Sequence, residues 1–135
     1  MKLVGFIKKH DDHDFSKSLN DYLLDGYETP NRNEILEFLK KGQLCLAWME
    51  WIFDDDENDT SIGPNGYYTD GEWVWPNYLS YYLLKHSNFK IEQSFIDYVL
   101  ENQDESVDLT EEQISKIEKK LFVLTESSAD PDSSN

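Results

Sequence analysis

Apolar and polar positions change rhythm several times along the 135-residue chain, and each change marks an expected element. Residues Lys2 to Lys8 alternate as a strand does, its side chains taking opposite faces in turn. From Asp14 the period lengthens, and Phe15, Leu19, Tyr22 and Leu23 fall on one face of a helix capped by Asp14 and ended at Gly26. A second helix opens at Thr29 and Pro30, a capping residue followed by proline in the first turn. It carries Ile35, Leu36, Phe38 and Leu39 and stops at Gly42.

Leu44 to Phe53 is apolar on both alternating faces, which reads as a central strand covered on two sides. Glu50 interrupts one face, and two arrangements fit it: a strand end reaching water, or a buried carboxylate with a partner. Tyr67 to Trp75 reads as a hairpin, with Asp70 and Gly71 supplying the two positive φ angles of a type I′ turn. Pro76 then starts a helix bearing Tyr78, Leu79, Tyr82, Leu83 and His86, and Phe89 to Ile91 make an extended link. Gln93 to Asn102 forms a helix that buries Phe95, Ile96, Val99 and Leu100.

The last helix has the clearest local signature. Thr110 and Gln113 fit a capping box, Leu109 and Ile114 a hydrophobic staple, and Ile114, Ile117, Leu121 and Phe122 one stripe. Together these elements predict an α+β fold: a small antiparallel sheet with a β-hairpin, packed by about five helices. Residues 1–126 are expected to form a single domain, and residues 127–135, with no side chain larger than alanine among their apolar positions, a disordered acidic tail.

Composition changes the picture through charge. Acidic residues number 28 and basic residues 12, a formal net charge of -16, which argues against nucleic acid as a direct ligand because phosphate binding is driven by lysine and arginine. The same field favours capture of a basic protein. No apolar run reaches the length of a membrane span and no secretory leader is recognisable, so a soluble cytoplasmic protein is expected. The lone cysteine, Cys45, lies in the apolar run and reads as a small buried hydrophobe.

Few residues point to chemistry. The run Asp54, Asp55, Asp56, Glu57, Asn58, Asp59 has carboxylates at the alternation of a calcium loop. Asp59 occupies the position that needs glycine, however, and Asn65 the position that needs a bidentate glutamate. His10 and His13, among Asp11, Asp12 and Asp14, suit zinc only if the segment is helical, and no further ligands are evident. Cys45 lacks the environment of a nucleophile, and no glycine-rich phosphate loop, GxSxG, CxxC or HExxH is present. The expectation is therefore a non-catalytic protein without metal or cofactor.

The aromatic segment is more informative. Trp73, Trp75 and Tyr82 suit the core, whereas Tyr67, Tyr68 and Tyr81 fall on other faces, and exposed tyrosines rimmed by Asp70 and Glu72 are typical of protein-binding surfaces. The stretch TDGEWVWPNYLSYYLLKHSNFKIEQSF resembles a pattern in small bacterial proteins of unassigned activity: a TDG turn, an aromatic strand ending in WP, a helix with a tyrosine pair and a link into a second helix at Phe95. Glu92 stands where those proteins often have proline. In character the chain also resembles immunity proteins of bacterial polymorphic toxin and contact-dependent growth inhibition systems, which are small, acidic, cytoplasmic and non-catalytic.

That resemblance implies binding and neutralisation of a cognate toxin, often a basic nuclease. The expected contact residues are Asp54, Asp55, Asp56, Glu57 and Asp59 for charge, with Asp70, Glu72, Tyr67 and Tyr68 as a neighbouring patch. Two alternatives belong to other classes: an acidic adaptor or nucleic-acid-mimic regulatory protein, and a small hydrolase using paired carboxylates and a metal near His10 and His13.

Overall fold

The computed structural model describes residues 1–57 and 59–128. In chain order the elements are β1 (Lys2–Leu3), α1 (Leu19–Tyr22), α2 (Arg32–Leu39), β2 (Gln43–Phe53), β3 (Ser61–Thr69), β4 (Trp73–Pro76), α3 (Leu79–Lys85), α4 (Gln93–Glu101) and α5 (Glu111–Ser128). Residues 129–135, most of the expected acidic tail, lie outside the described residues, while Ser127 and Ser128 belong to α5.

The four strands form one sheet in the order β1-β4-β3-β2. β3 is antiparallel to both of its neighbours, and the short β1 runs parallel to β4. The fold is thus α+β as expected, with a mostly antiparallel sheet. Its parallel edge arises because the chain enters through β1 and returns to β4 only after α1, α2 and the β2–β3 hairpin.

Alternation along β4 divides the core. Trp73 and Trp75 face one side, where Ile35, Phe38, Leu79, Leu83, Phe95 and Val99 of α2, α3 and α4 pack on them. Val74 faces the other, joining Phe6, Cys45 and Tyr67 beneath Ile117 and Leu121 of α5. Cross-strand partners share a face, so Tyr68, opposite Trp75, leans on the first cluster. Burying one aromatic side chain removes about 150–250 Å² from water, which is how a strongly acidic chain holds a sizeable core.

Local signals place several boundaries. Gln113 Oε1 accepts the Thr110 N–H at 2.8 Å, and Thr110 Oγ1 accepts the Gln113 N–H at 3.1 Å, the reciprocal pair expected of the capping box. Other boundaries moved. Ser18 rather than Asp14 caps α1, and Asn31, in the left-handed region, precedes α2. Thr29 instead donates its hydroxyl to the carbonyls of Ser87 and Phe89, tying the start of α2 to the link after α3. Lys2 to Lys8 is a strand only through Leu3, because Gly5 turns the chain with φ +79°.

The β3–β4 turn also differs from expectation. Three residues, Asp70, Gly71 and Glu72, make the connection, and among them only Gly71 has positive φ. Asp70 acts through its side chain: Oδ1 accepts the N–H groups of Glu72 and Trp73, and Oδ2 accepts the Tyr98 hydroxyl at 2.6 Å. Side-chain acceptance of backbone N–H groups closes the turn without a second left-handed residue.

The largest correction concerns β2, expected at the centre of the sheet. Among the described residues it is an edge strand, paired with β3 alone. Of β3, only Tyr67, Tyr68 and Thr69 pair with β4, so the first part of β3 and the second half of β2 continue as a two-stranded ribbon. The apolar run that suggested cover on two sides therefore leaves Leu44, Trp48, Met49, Trp51 and Phe53 exposed. Glu50 is exposed among them, the first of its two arrangements.

Candidate functional site

The acidic loop joining β2 to β3 is built around Asp54. Its side chain is fully buried, Oδ1 accepting the N–H groups of Asp56 at 2.8 Å and Glu57 at 3.0 Å. Oδ2 accepts the Tyr81 hydroxyl at 2.5 Å and Nζ of Lys85 at 2.7 Å, both from α3. Burial alone would raise its pKa, but the bonds from Lys85, Tyr81 and the two backbone amides outweigh it and hold the carboxyl well below the usual range. Asp54 thus shapes the loop and is not a surface contact.

The remaining loop acids are differently placed. Asp55 forms an ion pair with Lys9 at 3.4 Å, while Asp56, Glu57 and Asp59 are exposed. The Asp55 N–H donates to the Tyr82 hydroxyl, and that hydroxyl lies 2.7 Å from Nε2 of His10. Burial lowers the His10 pKa against the opposing fields of Asp55 and Asp11, which favours the uncharged ring.

Tyr67, expected at the surface, is wholly buried. Its hydroxyl and that of Tyr78 each donate to the Asp11 carboxylate at 2.6 Å, a buried knot beneath α5. Burial, reinforced by Asp11, raises both phenol pKa values, so both remain donors. Tyr68 is half-buried against the core, Asp70 is occupied by its turn, and Glu72 is exposed.

Nor do these residues form one patch. The loop acids stand at the Ser61 end of β3 and the Asp70–Glu72 turn at the Thr69 end. At about 3.3 Å per residue, a nine-residue strand holds the two groups roughly 25 Å apart.

What the loop acids do adjoin is the exposed part of β2, which sequence reasoning missed. Met49 is 107% exposed and Trp51 55%, and Phe53 leads directly into Asp54. β2 takes four steps from Ala47 to Trp51 while β3 takes two from Gly66 to Pro64, a bulge that pushes Met49 outward. Glu50 was the available signal, since a strand covered on both faces has no place for a solvated carboxylate.

Among the described residues, no three His, Cys, Asp or Glu side chains are grouped as a metal ion requires, and no helix is long and apolar enough to cross a membrane. Fold and surface together define an acidic α+β domain that presents apolar side chains on one sheet edge beside a carboxylate loop. Comparison with known proteins finds no matching family model, no matching curated protein and no matching solved structure.

Proposed function

We propose that the protein is a non-catalytic inhibitor of the immunity type, which binds and neutralises a cognate basic toxin domain in the cytoplasm, a nuclease being the chemistry best matched to its charge. One observation carries this reading: Met49, Trp51 and Phe53 are exposed on an edge strand that runs into the loop bearing the exposed carboxylates of Asp56, Glu57 and Asp59. Interfaces that bind tightly combine apolar anchors with a charged rim, the anchors setting residence time and the rim steering encounter. A net charge of -16 supplies the steering field. The unpaired edge of β2 adds main-chain donors and acceptors that a partner strand can use.

The test is capture of partners on the tagged chain from its native cells, followed by calorimetry at low and high salt. A single basic protein bound at about nanomolar affinity, weakening with salt, supports the reading. Binding that is indifferent to salt and to reversal of Asp56, Glu57 and Asp59 to lysine overturns the electrostatic argument and favours an adaptor without a basic partner.

A further inference from the structure

An open cleft of about 300 Å³ is lined by Asp11, Asp12 and His13, by Trp48 and Glu50 of the β2 bulge, and by Asn65 of β3. The bulge creates it: where Ala47 pairs with Gly66 and Trp51 with Pro64, Trp48, Met49 and Glu50 together stand opposite Asn65 alone. Two polar atoms of the lining are buried and meet no hydrogen-bond partner among the described residues, Nδ1 of His13 and Oδ1 of Asn65. Asn65 is only 4% exposed. A buried acceptor left unmet is costly, and folded proteins keep few of them.

The walls are held in place. The His13 ring stacks on Phe15 with centroids 5.0 Å apart, and Trp48 packs edge-on against Tyr67 at 4.6 Å. Tyr67 is itself fixed by its bond to Asp11. Such a cleft loses little side-chain entropy when filled.

We propose that this cleft receives the guanidinium group of an arginine presented by the basic partner, an inference that rests on the reading of the protein as a binder of such a partner. Anions are disfavoured by the carboxylates of Asp11, Asp12 and Glu50. The acceptors are spread over separate residues, Asn65 Oδ1 and the Asp12 and Glu50 carboxylates among them. A planar fork of five N–H donors suits that arrangement better than a compact ammonium. Trp48 adds an aromatic wall, which guanidinium groups favour.

The test uses the full chain, isotope-labelled for NMR, titrated with N-acetyl-arginine amide and, in parallel, with its neutral isostere N-acetyl-citrulline amide. The arginine probe is expected to shift the Trp48 indole N–H, the Asn65 side-chain amide and the His13 ring, while the citrulline probe leaves them unchanged. Asn65→Leu and Glu50→Gln should each weaken the arginine response about tenfold, the loss of one hydrogen bond to a charged group. Glu50 is exposed, so Glu50→Gln preserves the fold and keeps the test valid if Asn65→Leu does not.

Shifts confined to the exposed acids of the β2–β3 loop, an undiminished response in Glu50→Gln, or an equal response to citrulline overturns the proposal. Capture of a basic partner by a chain whose cleft ignores the arginine probe overturns the pocket and leaves the partner reading standing. Arginine binding in the cleft without any captured basic partner supports the pocket and counts against that reading.

Discussion

Oδ2 of Asp54, a side chain entirely out of solvent, lies 2.7 Å from Nζ of Lys85, whose own side chain remains 26% exposed. One ion pair therefore couples the loop after β2 to the last turn of α3 across 31 positions of sequence. The asymmetry matters: Lys85 can return to water if its partner is lost, whereas Asp54 cannot.

Asp54→Ala should accordingly destabilise the protein by about 2 kcal/mol, through loss of charge-assisted bonds and of the two loop amides they organise. Lys85→Met should cost at least as much by leaving a buried carboxylate short of its cation. Urea unfolding measures both.

The pH dependence follows from the sign of the same shift. The folded carboxyl titrates lower than the unfolded one, whose pKa is about 4. Its contribution is therefore fully present above that value and is lost as pH falls below it toward the folded pKa. Stability measured from pH 6 downward should drop through this window in the wild type and fall less steeply in Asp54→Asn.

Gly5 and Gly26 separate strain from crowding, since both have φ +79°. A Cβ at Gly26 meets nothing within 4 Å, so Gly26→Ala should cost about 1–2 kcal/mol, the left-handed penalty alone. At Gly5 the added Cβ would lie 2.6 Å from Cδ1 of Leu79 in the core, and Gly5→Ala should cost a further 1–3 kcal/mol or so. Paired thermal or chemical denaturation of the two variants reads the difference.

Cys45 should behave as a core residue in solution. Burial, with a smaller push from Glu118, raises its thiol pKa to about 12. Reaction with a thiol reagent at pH 8 should be slow and accelerate with denaturant in step with unfolding; immediate stoichiometric reaction would show an accessible thiolate instead.

Met49 and Trp51 separate binding from stability. Replacing each with serine should change unfolding free energy by less than about 0.5 kcal/mol for Met49, which is fully exposed. Dissociation of the captured partner should accelerate about tenfold or more for Trp51→Ser if that side chain is an anchor. Surface plasmon resonance resolves the rates, and unaltered dissociation would move the interface away from β2.

Much of the fold was legible because its signals are local. The capping box at Thr110 and Gln113 joins residues three apart, and the stripe that follows places Ile117 and Leu121 in the core. Trp73 and Trp75 on one face of a short strand, and the helical spacing of Phe95, Ile96 and Val99, likewise needed only their neighbours in sequence. The α+β class follows from such elements taken together.

Which side chains reach solvent was a different matter, because exposure depends on strand order. β2 is apolar enough for a central position, yet β4 inserts between β1 and β3 and leaves β2 at the edge, exposing Met49 and Trp51. The acidic loop was legible as a loop, but the burial of Asp54 required α3 to bring Tyr81 and Lys85 against it. Tyr67 met Asp11 from 56 residues away, and Asn65 came to line a cleft only through a bulge in its partner strand. Sequence by itself determined the helices, the hairpin and the charge, since these arise from spacing and composition. Tertiary structure alone decided which carboxylates and aromatics are interior and which face solvent, because pairing between distant segments determines what each side chain meets.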